Sequence, residues 1–298
     1  MKFKEPITLR SKVAEYLLIG FLRLIALIPK SWVSPLSVLF HFIAHPFIKK
    51  EYAKIGTNIQ KIFDLPKNSA FSYMFQKQVI RHQIVSSIES LIAIYRPDHL
   101  KITGFEEFKS QIDKVREKSG SIIFVSGHLG NWELIGYFAA LATGVEFVAL
   151  GKPMRIEAIT RVLDYTRKRL KMTILWNDGK DLFKKMLEVL GSGRDLGFVM
   201  DQKPNKRIGL DVNFFGRKTT YVAGPAAMAA KSGRPVLAIF GVRVGPWHYK
   251  VMCRELLAPG HGEKDENKIT QMMASEIERV INIYPEQWTW NYKRWNFE

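Results

Sequence analysis

Apolar residues are distributed along this chain in three distinct ways. Over residues 13–28 (VAEYLLIGFLRLIALI) they are nearly continuous, broken only by Glu15 and Arg23, and a second apolar stretch over 32–48 contains Pro35 and Pro46. From 51 to about 117 they recur at helical spacing, as at Ile80, Ile84 and Leu91 with Ser87 between, and Arg96-Pro97 closes that segment. Beyond it, short apolar runs alternate with amphipathic ones. That alternation predicts strands at 121–126, 145–150, 172–176, 195–200, 210–214, 235–244 and 248–253. Helices fit between them at 132–141, 156–170, 180–190 and 224–231, and a last one at 266–284 precedes an aromatic tail. Strand–helix alternation implies the α/β class, with a mixed, largely parallel sheet flanked by helices. No repeat, low-complexity segment or long Gly/Ser linker interrupts the chain. Two parts are therefore expected: an apolar helical hairpin over 1–50, and one α/β domain over 51–298 whose front layer, to about 117, is helical.

The front decides between two environments. As a helix, residues 13–28 would be about 24 Å long at 1.5 Å per residue, shorter than the roughly 30 Å of a hydrocarbon core. Arg23 interrupts the run and no small-x-small cleavage site follows, so it does not read as a signal peptide. Lys2, Lys4, Arg10 and Lys12 precede the apolar runs and Lys49 and Lys50 follow them, which leaves orientation undefined by the positive-inside rule. A buried core hairpin and a membrane-docking hairpin, shallow or marginally spanning, both fit; the docking hairpin is the expectation.

Composition narrows the partners. The 298 residues include 45 Lys+Arg against 28 Asp+Glu, a formal net charge of +17, while 47% hydrophobic and 24% charged residues exclude a mainly disordered chain. Such an excess favours anionic partners: nucleic acid, anionic lipid headgroups, phosphorylated substrates or an acidic carrier protein. No nucleic-acid motif is present, and an apolar front would serve no purpose on DNA, so a membrane surface is expected and nucleic acid is not. A single cysteine, Cys253, excludes an internal disulfide and points to a reducing compartment. His41 and His45 stand at helical spacing without carboxylate partners, a poor metal site, and neither a metal nor a cofactor is expected. G-x-S-x-G and G-x-x-x-x-G-K-[ST] are both absent.

One turn carries candidate chemistry. The strand at 121–126 ends in Gly127-His128-Leu129-Gly130-Asn131-Trp132-Glu133, after which Leu134, Tyr137, Phe138 and Leu141 resume helical spacing. Ligands of open α/β sheets bind at such strand ends. The two glycines permit a tight turn and close approach of a substrate, and Asn131 suits the helix N-cap. Glu133 falls in the first helical turn, where the dipole favours a carboxylate. A carboxylate bonded to one ring nitrogen fixes the imidazole tautomer and makes the other nitrogen more basic, so His128 reads as a general base oriented by Glu133. The plain alternative is a surface histidine beside a helix cap.

HLGNWE closely resembles the His-x4-Asp/Glu signature of glycerolipid acyltransferases, and more specifically that of the late acyltransferases of lipid A biosynthesis, the lauroyl/myristoyl transfer family. The resemblance covers most of the chain: GKP at 151–153, GFVMDQK at 197–203, FFG at 214–216 with GPA at 224–226, and PEQWTW at 285–290 follow in order. It implies a catalytic histidine and an acidic partner, roles that fall on His128 and Glu133. It also implies acyl carrier protein or coenzyme A thioester as donor, and a glycolipid acceptor at the cytoplasmic face of a bacterial inner membrane. Two positions depart from the pattern: Lys152 stands where the family usually has Arg, and Asn291-Tyr292 follows Trp290 where it usually has His. Lysine keeps the charge but loses bidentate recognition, so both departures bear on the acceptor.

Further site residues follow. Lys152 and Arg155 come directly after a strand and are expected to contact substrate, while Arg161, Arg167, Lys168, Arg169 and Lys171 make a basic helix face. Asp201 and Gln202 also follow a strand, on the same rim as His128, and the resemblance has them shape the acceptor site. It likewise has Phe215 and Gly216 help line the acyl or acceptor pocket, and Asn131 is counted among the binding residues. Trp288, Trp290, Tyr292 and Trp295, with Lys293 and Arg294, read as packing over the sheet more than as an interfacial anchor. The expected activity is transfer of an acyl chain from a thioester to a 3-hydroxyl of a lipid A precursor. The alternatives are the same chemistry on a glycerophospholipid, aminolipid or other glycolipid, and a non-enzymatic basic protein binding membrane or nucleic acid.

Overall fold

A computed structural model describes residues 9–66, 69–177, 181–204, 209–292 and 294–295; Lys2, Lys4 and Lys293, and the first position of the helix expected over 180–190, lie outside them. Seven strands form one sheet in the order β1 (Lys101–Thr103), β9 (His248–Leu257), β8 (Val236–Gly245), β2 (Ile123–Ser126), β5 (Asp195–Val199), β3 (Phe147–Gly151) and β4 (Met172–Trp176). Every neighbouring pair is parallel except β8 with β9, which form an antiparallel hairpin. β2 lies at the centre and is buried throughout, as a parallel strand covered on both faces must be.

Period-2 alternation divides the core. Phe124 faces α5 (Phe105–Ser119) and α6 (Trp132–Thr143), packing with Phe108, Ile112, Leu134 and Phe138. Ile123 and Val125 face the other layer, built from α8 (Leu182–Gly191), α9 (Gly224–Ser232) and α10 (Glu266–Ile283), and pack with Met186, Ala226 and Ile277. α7 (Glu157–Arg169) makes the crossover from β3 to β4. A separate hairpin of β6 (Gly209–Phe214) and β7 (Arg217–Val222) turns at Phe215 and Gly216, whose φ angles of 53° and 69° are both in the left-handed region that a two-residue type I′ turn requires.

The front is helical: α1 (Leu9–Ile25), α2 (Val33–Ala44), α3 (Lys49–Ile62) and α4 (Ala70–Ala93). α1 and α2 do not form the self-contained hairpin expected over 1–50. α1 rests mainly on α7 and touches α4, while α2 packs along α4. Glu15, which breaks the apolar run in the sequence, ion-pairs with Arg161 on α7 at 2.5 Å, so the polar interruption adds to the packing that holds α1 on the body. Among the described residues no single helix is long and apolar enough to cross a membrane; the bent pair Lys30–Ala44 and Lys49–Ile62, at 99°, qualifies by length and composition only.

All seven expected strands are present, with β9 running on to Leu257. β1 and β7 are additional. The first has three residues, too few for a period, and the second reads Arg-Lys-Thr-Thr-Tyr-Val, with no apolar run to announce it.

Candidate active site

Parallel pairing brings two sequence-distant residues together. Ser126 at the end of β2 is in register with Val199 at the end of β5, and His128 and Asp201 each come two residues later. Asp201 is buried, with Oδ1 2.6 Å from His128 Nδ1 and Oδ2 accepting the His128 backbone N–H at 2.8 Å. Oδ2 also accepts the indole N–H of Trp288 at 2.7 Å. The expected bond between His128 and Glu133 is not formed. Glu133 instead pairs with Arg167 of α7 at 2.8 Å, with its side chain close to half exposed.

Electrostatics follow this geometry. Burial works against a charged His128, but the charge and hydrogen bond of Asp201 outweigh it and raise its pKa above the ordinary histidine value. Glu133 adds a smaller push, and Arg294 opposes. Burial likewise works against an ionised Asp201, and His128, the Trp288 N–H and Arg294 overcome it, holding the carboxyl below its usual range. Arg294 is fully buried and stacks on the Tyr221 ring at 3.9 Å. With Nδ1 committed to Asp201, His128 Nε2 is the ring nitrogen left to face the cavity. The Gln202 amide stands 3.1 Å from it.

The turn that presents His128 is fixed from behind. Gly130 has φ +61°, and a Cβ there would overlap the Gly241 carbonyl oxygen, so a side chain is excluded both conformationally and sterically. Asn131 N–H donates to that same carbonyl at 2.8 Å and Gly130 N–H to Gln287 O at 3.0 Å, while His128 O accepts from Thr289 N–H at 3.1 Å. His82, whose pKa burial pushes down to about 4, donates from Nε2 to the Gly130 carbonyl at 3.2 Å. Asn131 caps α6 by accepting Leu134 N–H, accepts the Ser90 hydroxyl at 2.8 Å and donates to Tyr249 OH at 3.0 Å. Tyr249 in turn donates to Glu89, whose carboxylate is held by Arg243 at 2.8 and 3.0 Å.

A cavity of about 810 Å³ opens at His128. Glu133, Lys152, Arg167 and Gln202 contribute polar lining, while Phe124, Ile135, Phe147, Met172, Ile174 and Trp176 line it between α6 and the sheet. Gly136 on α6 faces its inner part, where a Cβ would overlap the Met172 sulfur and crowd the Phe147 ring.

The candidate residues thus divide. His128, Glu133, Lys152 and Gln202 line the cavity, and Asp201 lies buried directly behind His128. Asn131 does not line it, being buried behind the turn. Arg155 is exposed outside the lining. Phe215 and Gly216 form the distant hairpin turn, where Phe215 packs on Phe214, Trp288 and Trp290 and its backbone N–H donates to Glu278 at 2.6 Å. A pocket role expected of aromatic surface is replaced there by core packing. Sequence patterns alone do not place Trp288 or Arg167 at the site. Trp288 lay in the PEQWTW block and Arg167 in the basic helix face, but the contacts that give them roles span most of the fold. Among the described residues, no cluster of His, Cys, Asp and Glu is placed to hold a metal ion.

Fold and site together define an α/β protein presenting a histidine–aspartate pair at the mouth of a mainly apolar cavity. The chain belongs to the bacterial lipid A biosynthesis acyltransferase family, which it matches over residues 1–296. It is 25% identical over 201 residues to a phosphatidylinositol mannoside acyltransferase of Mycolicibacterium smegmatis, covering 66% of this chain and 63% of that protein. To the phosphatidylinositol mannoside acyltransferase of Mycobacterium tuberculosis it is 27% identical over 172 residues, covering 56% of this chain and 52% of the relative. Less than two thirds of either relative's length is matched.

Proposed function

We propose that this chain is an O-acyltransferase that moves a fatty acyl chain from an acyl thioester to a hydroxyl of a membrane glycolipid. The observation carrying this reading is the His128–Asp201 pair, with Nδ1 engaged by a buried carboxylate and Nε2 directed to the mouth of an apolar cavity. Nδ1–H donates to Asp201, so Nε2 holds the lone pair that a general base needs. An acceptor hydroxyl displaces the Gln202 amide and gives its proton to Nε2 as its oxygen attacks the thioester carbonyl. Asp201 stabilises the imidazolium so formed. Collapse of the tetrahedral intermediate forms the ester, breaks the C–S bond and expels a thiolate that takes the proton from Nε2. The cavity, within the volume range of small-molecule sites, takes the acyl chain. Lys152 supplies positive charge at its polar end, beside the Glu133–Arg167 pair, for a phosphorylated donor or acceptor.

The family supports a lipid A precursor as acceptor, acylated on the 3-hydroxyl of an attached chain, with acyl carrier protein or coenzyme A thioester as donor. The relatives' names refer to a different glycolipid, which supports the broader acceptor class. Membrane association is supported by exposed apolar side chains on the front helices, among them Leu17, Phe21, Phe42 and Phe71, which have no use in water. This reading puts the protein on the cytoplasmic face of a bacterial inner membrane.

The test is transfer from labelled acyl carrier protein to a tetra-acylated lipid A precursor and, in parallel, to phosphatidylinositol mannoside, using wild type and His128→Ala. Transfer to one glycolipid, abolished in the variant, is expected. Near-normal turnover by a folded His128→Ala protein sinks the base assignment. Failure of wild type on both acceptors, with acyl-coenzyme A also tried, sinks the acceptor class.

A further inference from the structure

A second cavity, of about 940 Å³, lies outside the site described above, in the front layer between α2 and α4. Its walls are of two kinds. Val38, Phe42 and Ile43 of α2 and Met74 of α4 offer exposed apolar surface. His41 of α2 and His45 just past its end, with Lys77 and Arg81 of α4, bring basic groups to the same groove, and no acidic residue is among its described lining. Lys77 and Arg81 are exposed, and neither makes an ion pair among the described residues; Lys77 lies over the Tyr73 ring at 4.6 Å. His41 is held with Nε2 2.6 Å from Tyr52 OH, and its ring lies 6.4 Å from that of His45. Burial and the charges of His45, Lys77 and Arg81 all press His41 toward its neutral form, so these groups act on one small volume.

Unpaired cations beside exposed apolar walls specify a ligand that is anionic at one end and apolar over the rest. A free phosphate would leave the apolar walls uncovered, and a neutral chain would leave Lys77 and Arg81 uncompensated. We propose that this groove binds a single anionic phospholipid of the membrane, its phosphate against Lys77 and Arg81 and an acyl chain along Val38, Phe42, Ile43 and Met74. The site would hold the front helices to an anionic bilayer at a defined point, not by diffuse charge. This inference rests on the membrane association proposed above and makes it local.

The test compares full-length wild type with Lys77→Gln/Arg81→Gln on two sets of vesicles, phosphatidylcholine alone and phosphatidylcholine with phosphatidylglycerol at about three to one. Lys114→Gln/Lys118→Gln on α5 serves as a charge-matched control. Native mass spectrometry of the detergent-released proteins then asks whether one phosphatidylglycerol stays bound. Each cation near an anionic surface is worth about fivefold, so the groove variant, lacking two, should bind the anionic vesicles about 25-fold more weakly and lose its retained lipid. Binding to phosphatidylcholine alone and the α5 control should be unchanged. Equal weakening in the control, or phosphatidylglycerol retained by the groove variant, overturns the site and leaves only diffuse attraction. Retention undone by inorganic phosphate overturns the lipid in favour of an anion pocket. If the groove variant instead slows transfer from acyl carrier protein in lipid-free detergent, the groove docks the carrier and the proposal fails. Wild type that binds neither vesicle overturns the membrane reading itself.

Discussion

Asp201 grips His128 at two points, with one carboxylate oxygen 2.6 Å from Nδ1 and the other accepting the backbone N–H of the same residue at 2.8 Å. A side chain bound to both the ring and the main chain of its partner fixes where the ring sits as well as which tautomer it adopts. Three donors converge on this carboxylate, because Trp288 supplies a third at 2.7 Å. Asparagine has one acceptor oxygen and would turn its NH2 group toward a donor.

Asp201→Asn should therefore lower kcat by about 10²–10⁴-fold, the range for losing general-base function or its orienting partner. It should also move the pH profile. A base works only when neutral, and the raised pKa of His128 places the acid limb of kcat/KM above the ordinary histidine value in the wild type. Removing the charge and bond that raise it leaves burial in control, so the limb moves to lower pH even as the plateau falls. pH–rate profiles of wild type and variant check both effects; a limb at the same pH in each would show that Asp201 does not tune the base.

Glu133→Gln separates the two acidic residues. Glu133 pairs with Arg167 near solvent and reaches His128 only through space, behind the stronger influence of Asp201. Its replacement should cost no more than about fivefold in kcat/KM, the scale of a solvent-facing ion pair, with a slight downward shift of the acid limb. Arg167→Gln should cost a similar factor. Single-turnover assays of the three variants side by side decide: a Glu133→Gln loss as large as that of Asp201→Asn would return the orienting role to Glu133.

Strand ends were visible from apolar runs, and these put His128 and Asp201-Gln202 on one rim. Which carboxylate meets the imidazole depends on the pairing of β2 with β5, a contact between residues 73 positions apart. Spacing alone favoured Glu133, but α6 begins at Trp132 and carries Glu133 to Arg167 on α7. Asn131 was correctly expected as a cap, yet Ser90 and Tyr249 also claim its side chain, and neither is near in sequence. The tail was expected to pack, which it does; that one of its indoles also touches the site pair follows only from Leu129 bridging to Trp288.

Two glycines of the turn should fail in different ways. Gly130→Ala meets the Gly241 backbone and requires a left-handed φ, so a loss of about 2–4 kcal/mol of stability is expected in denaturant unfolding. Gly127 has no such φ, but its Cβ would come 3.0 Å from both Asp201 Oδ2 and the Ile277 side chain. Gly127→Ala should unfold near the wild-type midpoint and lose activity by displacing the carboxylate from His128. If its stability falls as far as that of Gly130→Ala, crowding against Ile277 dominates and the site pair is not specifically disturbed.

The inner part of the cavity makes a prediction about chain length. Met172 and Phe147 line it opposite Gly136, and the missing Cβ of Gly136 is what makes room for the Met172 sulfur. If the acyl chain extends to this point, each methylene accommodated or excluded changes transfer by about fourfold, from roughly 0.8 kcal/mol per buried CH2. Met172→Val, milder than a truncation to alanine that would cost about 2–5 kcal/mol of stability, should shift donor preference toward longer chains. Gly136→Ala should push the sulfur into the cavity and shift preference toward shorter ones. Competing acyl donors in two-carbon steps, with product chains read by mass spectrometry, checks both directions at once. Shifts of opposite sign in two folded variants would fix Met172 as the floor against which the chain is measured. An unmoved profile in both would mean that the chain stops short of Met172, and that length is set nearer the mouth, by Ile174 and Trp176.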